Sequence, residues 1–93
     1  MIISFKDADT KRLWETGKSR TIPAKIRRVA SRQLAMLNNV KDVELLRIPP
    51  ANHLEKPAGD RKGQYSIRIN DQYRICFVWR DGNAYGAEIV DCH

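Results

Sequence analysis

The stretch Tyr65-Ser66-Ile67-Arg68-Ile69-Asn70-Asp71-Gln72-Tyr73-Arg74-Ile75-Cys76-Phe77 carries the clearest structural signal in the chain. Apolar and polar residues alternate on both sides of Asn70-Asp71-Gln72, which is the period of a half-buried strand, and Asn and Asp favour the turn between. Ile67 and Ile69 point one way with Ile75, Phe77 and Trp79, while Ser66, Arg68 and Asn70 point the other way with Arg74. Keeping like with like requires Ile67 opposite Ile75 and Arg68 opposite Arg74. A three-residue loop gives that register; a two-residue turn does not. Two arginines directly opposite repel each other. The pair therefore marks either a site for an anion, such as a phosphate, or an arginine neutralised by Glu88 or a helix carboxylate.

Working outward, three strands are expected, Tyr65–Ile69, Tyr73–Arg80 and Ala84–Val90, with a second turn at Asp81-Gly82-Asn83. They form an antiparallel meander. Upstream of Pro49-Pro50 the pattern changes to helical. Pro23 opens a helix to about Asn38, with Ile22, Ile26, Val29, Gln33 and Leu37 on one stripe and Lys25, Arg28 and Arg32 on the opposite face. A shorter helix from Thr10 to Thr16 is capped by Asp7 or Asp9 and ended by Gly17, and buries Leu13 and Trp14. Ile2 to Phe5 is a short extended start, Lys41 to Leu46 a further turn, and Pro50 to Gly63 a loop. The expected fold class is α+β: a single domain over 1–93, with N-terminal helices packed on one side of a mostly antiparallel sheet.

A chain of 93 residues, 42% hydrophobic and 30% charged, has room for one core and none for a separate nucleotide-binding domain. Its net charge of +6 is unevenly spread. Residues 1–41 hold ten Lys/Arg against three Asp/Glu, and residues 42–93 hold seven against eight. Such a basic half suits a polyanion, because Lys and Arg release counterions from phosphate chains; simple solubility is the plainer reading. The N-terminus lacks the pattern of a signal peptide, and the longest apolar run, Ile75 to Trp79, is far too short to cross a membrane. Cys76 and Cys92 lack CxxC spacing, so a reduced, cytoplasmic protein is expected. Cys92, His93 and His53 do not form a recognisable zinc pattern, and neither metal nor cofactor is expected.

Phosphate-binding glycine loops and nucleophile elbows are absent from the sequence. The polar groups concentrate instead in Asn52-His53-Leu54-Glu55-Lys56 and in Asp91-Cys92-His93, which hold both histidines. His exchanges protons near neutral pH. With Arg68, Arg74 and Lys56, the inventory suits a metal-free nuclease: one group takes the proton of a ribose 2′-OH, another protonates the leaving 5′-oxygen, and fixed cations stabilise the phosphate. Each residue also has a plainer reading: His93 as a frayed end, His53 as a turn-holding group, and Lys56 as a solvated charge.

The order of these residues adds to their inventory. Pro49-Pro50-Ala51-Asn52-His53-Leu54-Glu55, then Gly59 to Phe77 with its Ser-Ile-Arg-Ile-Asn-Asp-Gln-Tyr-Arg-Ile-Cys-Phe block, and the ending Glu88-Ile89-Val90-Asp91-Cys92-His93 resemble the HigB family of RelE-like bacterial toxins. Ile3-Ser4-Phe5, Ala8-Asp9-Thr10 and Thr16-Gly17-Lys18 extend the resemblance over nearly the whole chain. It implies a RelE-like fold and an mRNA endonuclease that acts on messages in the ribosomal A site. It further implies neutralisation by a helix-turn-helix antitoxin of the HigA type, through which operator DNA is reached only indirectly. Residue by residue, it implies catalytic roles for His53, Lys56, Asp91 and His93, and substrate contacts for Arg68, Asn70, Arg74 and Cys92. Cys92 stands where the family has Tyr, so a base-stacking contact is absent there.

Two other function classes remain open on sequence grounds. ParE-like toxins look similar in architecture yet bind DNA gyrase without cleaving RNA, and a ribosome-associated RNA-binding module needs no catalytic groups. The cluster of His53, Lys56, Asp91 and His93 favours the nuclease. Lys25, Arg28 and Arg32 are expected to contact ribosomal RNA on the 70S particle, where phosphates call for a basic surface and not for base readout. Replacing Arg28 and Arg32 by Glu is expected to weaken ribosome binding, with a steep salt dependence; sedimentation binding assays at several salt concentrations that show unchanged binding contradict the assignment.

Overall fold

The computed structural model describes residues 1–56 and 63–91, which form two α-helices, two 3-10 turns and three strands. Helix α1 spans Ala8–Thr16 and α2 spans Ala24–Asn39; β1 is Gln64–Arg68, β2 is Tyr73–Arg80 and β3 is Asn83–Asp91. Of the two candidate caps, Asp7 caps α1, its carboxylate accepting from the Thr10 amide at 3.0 Å. Gly17 ends the helix at φ 76°, a conformation that glycine adopts without penalty. Pro23 stands one residue before the helical part of α2, with ψ 138°.

The helices bury Leu13, Ile26, Ala30, Leu34 and Leu37 against Ile67, Ile75 and Phe77 of the sheet. The buried stripe of α2 differs in part from the sequence expectation: Val29 is only half-buried, and Ala30 and Leu34 are fully buried. Trp14 likewise packs at the margin of the core. Small side chains explain the shift, because both helices pack against β3, whose Ala84 and Ala87 have no accessible surface. Ala30 lets α2 approach more closely than Val would.

The sheet runs β1-β2-β3, antiparallel throughout. Its first hairpin pairs Ile67 with Ile75 and Arg68 with Arg74, as the alternation demands. Residues 2–5 add to the outer edge of β3 in parallel, through bridges Ile2 to Ala84 and Phe5 to Ala87. At the opposite edge, Glu55 and Ser66 exchange both backbone hydrogen bonds, at 2.9 and 2.8 Å, so the loop after Asn52 lies along β1. A register shift between Cys76 and Val78 kinks the β2–β3 pairing. Among the described residues no helix is long and apolar enough to cross a membrane.

The connection from α1 to α2 is held by one carboxylate. Asp9 accepts from the Arg20 amide at 2.8 Å, from the Ser19 hydroxyl at 2.5 Å and from the Thr21 hydroxyl at 2.7 Å. These donors, led by the Arg20 amide, hold its pKa far below the ordinary value of 3.8. A depressed folded-state pKa contributes stability above the unfolded value and loses it as pH falls. The parent chain is therefore expected to lose stability on acidification below about pH 4, with Asp9→Asn less stable at neutral pH and losing less on acidification. Urea denaturation at pH 7 and pH 3 measures both, and parallel losses in the two proteins contradict the role.

Candidate functional site

Site geometry begins with two buried amides. Asn52 closes the 3-10 turn Pro50–Asn52, and its side chain donates to the carbonyls of Leu46 at 3.1 Å and Ile48 at 3.4 Å. From α2, the Gln33 amide donates to Asn52 Oδ1 at 3.4 Å and to the Arg68 carbonyl at 2.5 Å. The pair thus connects α2, the turn and the end of β1. Polar groups this deeply buried need such partners. Gln33, a polar residue in the apolar row of its helix, is the signal in the sequence for this bracket; Asn52 stands out there only as part of the polar loop, with no structural role legible.

His53 follows at φ 44° and ψ 59°, a left-handed conformation tolerated by His in tight turns. The reversal leaves its side chain exposed and aims its carbonyl at β2. Arg74 meets it there, donating to the His53 carbonyl at 2.7 Å, to Ser66 Oγ at 2.9 Å and to the Ser66 carbonyl at 3.3 Å. Its guanidinium lies 3.6 Å from the Glu55 carboxylate, and only 15% of the side chain is exposed. Arg74 therefore braces the loop against the sheet. Arg68, opposite it, is more open and is ion-paired with Asp71. The facing arginines are thus neutralised by loop carboxylates. Glu88 pairs instead with Lys6, at 3.2 Å.

The hairpin loop is closed by Asn70, whose Oδ1 accepts from the amides of Gln72 at 2.9 Å and Tyr73 at 2.7 Å. Gln72 in turn donates to Asp91 at 2.9 Å, and Asp91 pairs with Tyr73 across the ladder. A cleft of about 340 Å³ results, lined by His53, Glu55, Arg68, Asn70, Asp71 and Arg74. Four of the residues singled out in the sequence meet there: His53, Arg68, Asn70 and Arg74. Asp91 stands at the same end of the sheet. Lys56 is exposed just beyond Glu55, and Lys25, Arg28 and Arg32 are exposed on α2 without lining the cleft. Cys92 and His93 lie outside the described residues. Glu55 and Asp71, which the sequence places in the polar loop and the turn without a pairing role, supply the counter-charges.

This arrangement has known relatives. Residues 3–93 match the profile of the family described as RelE-like toxin of type II toxin-antitoxin system HigB. The match makes this chain a RelE-like toxin of a type II toxin–antitoxin system, and helices on one face of an antiparallel sheet agree with that fold. The chain is 41% identical over 85 residues to Toxin HigB-1 of Vibrio cholerae serotype O1, covering 90% of each chain. It is 35% identical to Endoribonuclease HigB of Proteus vulgaris along the full length of both. An uncharacterized protein of Haemophilus influenzae is 35% identical over 78 residues, 83% of this chain and 77% of its own. The chain belongs to the HigB family, and a toxin of this type has an antitoxin as partner.

Removing the buried bracket tests its role. Asn52→Ala breaks its carbonyl contacts and strips Gln33 of one acceptor, which is expected to cost about 1–3 kcal/mol of folding stability. Urea denaturation reads the loss, and an unchanged midpoint contradicts it.

Proposed function

We propose that this chain is a ribosome-dependent mRNA endonuclease, cutting messages in the ribosomal A site by metal-independent acid/base chemistry and neutralised by a HigA-type helix-turn-helix antitoxin. The observation that carries the reading is the meeting of His53, Arg68, Asn70 and Arg74 around one cleft, with Asp91 at the same end of the sheet. The name of the Proteus vulgaris relative supports it.

In this mechanism a 2′-hydroxyl attacks the adjacent phosphorus while the bond to the 5′-oxygen breaks. A base removes the 2′-proton, an acid delivers one to the leaving oxygen, and a cyclic phosphate and a 5′-hydroxyl remain. His53, Lys56, Asp91 and His93 are the groups proposed for these transfers. Arg68, held within reach of the cleft by an exposed partner, exchanges Asp71 for the phosphate and stabilises its developing charge. Arg74 keeps the His53 loop in register with β1, and Asn70 and Cys92 border the substrate. The exposed cations Lys25, Arg28 and Arg32 form a separate footprint on the 70S ribosome, whose decoding centre presents the message.

A defined message on translating ribosomes is the test. His53→Ala and His93→Ala are each expected to lower the cleavage rate by about 10²- to 10⁴-fold with folding intact. Full activity in both variants removes the proposed chemistry. Gyrase-dependent DNA breaks in place of message cleavage favour the inhibitor class instead.

A further inference from the structure

The face of the sheet turned away from the helices carries a second, larger hollow of about 650 Å³ beside the cleft. Glu55 and Arg74 line both, so the two spaces adjoin. Across the floor runs a row of ladder neighbours: Glu55 beside Ser66, Ser66 opposite Cys76, Cys76 opposite Glu88. Lys6 closes the row through its ion pair with Glu88. Val78 and Val90 supply apolar surface, and Gly86, at φ 58° beside the β-bulge, adds no side chain where a Cβ would meet nothing within 4 Å.

The charges do not call for a second phosphate. Two carboxylates, Glu55 and Glu88, bound the trough, and its two cations, Arg74 and Lys6, are already paired with them. An uncharged, flat group with an apolar face and hydrogen-bonding edges suits it better, and its volume lies within the usual range for small-molecule sites. We propose that this trough is a nucleobase subsite, holding the base next to the scissile linkage, with Glu88 accepting a hydrogen bond from the exocyclic amino group of that base. This rests on the endonuclease reading above, since it is the cleft that fixes the phosphate and so brings the neighbouring nucleotide over Val78 and Val90. Lys6 is 70% exposed and Glu88 25%, so the lysine swings out while the carboxylate stays. Adenine, guanine and cytosine carry the amino group; uracil lacks it.

The test uses the full chain with translating ribosomes and messages varied at each nucleotide flanking the cut. At one flanking position the parent toxin is expected to disfavour uridine by roughly tenfold. Glu88→Ala flattens that preference, Glu88→Gln weakens it while preserving shape, and Lys6→Ala keeps or sharpens it; thermal melting checks that each variant folds. A parent toxin that treats all four bases alike at both positions, or a Glu88→Ala variant with the parent's cut pattern, overturns the subsite while message cleavage itself still stands. An unchanged cut pattern with weaker antitoxin neutralisation in the Glu88 variants assigns the trough to the antitoxin and also overturns it. Absence of any cleavage by the parent toxin refutes the endonuclease reading and the subsite with it.

Discussion

The guanidinium of Arg74 joins three pieces of chain that otherwise have little reason to stay together. Its donors reach Ser66 on the neighbouring strand and the carbonyl of His53 in the preceding loop, with Glu55 as counter-ion. Charge-assisted hydrogen bonds of this kind are about twice as strong as neutral ones, and here most of the side chain is withdrawn from water. The loop that presents His53 and Lys56 is thereby set against β1. It adds a side-chain brace to the backbone pairing of Glu55 with Ser66, which lays the same loop along the strand.

Arg74 can act this way only because the hairpin register puts it opposite Arg68 and next to Ser66. A one-residue slip turns every polar side chain into the core and every isoleucine out. Register is fixed from below by Ile67 and Ile75, both with no accessible surface, and from the turn by the Asn70 side chain. Apolar packing on one face thus determines the placement of charge on the other. The facing arginines then divide the work: one is consumed by structure, and the other remains open towards the cleft.

Much of this was legible in the sequence. Strict alternation around Asn70-Asp71-Gln72 specified the strands, their register and the Arg68–Arg74 pair, because period-two patterning has a single buried solution. The helices were legible from their spacing and caps. The share of burial between Val29, Ala30 and Leu34 was not, since it depends on how closely α2 approaches β3 and on the size of Ala84 and Ala87. Partners of the arginines also lay beyond sequence reasoning: Glu55 reaches Arg74 only because the loop folds back along β1. Glu88, on the strand next to Arg74, was the more obvious carboxylate, but the parallel N-terminal segment brings Lys6 to it. Family resemblance supplied a nuclease and its candidate residues; the fold shows why four of these, His53, Arg68, Asn70 and Arg74, line one cleft.

In the proposed reaction a ribose 2′-hydroxyl of the message attacks the adjacent phosphate, directed by groups at the polar cleft. The most direct measurement is the chemistry of the cut on a ribosome-bound message carrying a single 2′-O-methyl group at the cleaved nucleotide. Cleavage of the unmodified message leaving a cyclic phosphate and a 5′-hydroxyl, with no cut at the methylated site, is the predicted result. Cleavage of the methylated message, or products ending in a 3′-hydroxyl and a 5′-phosphate, would contradict it.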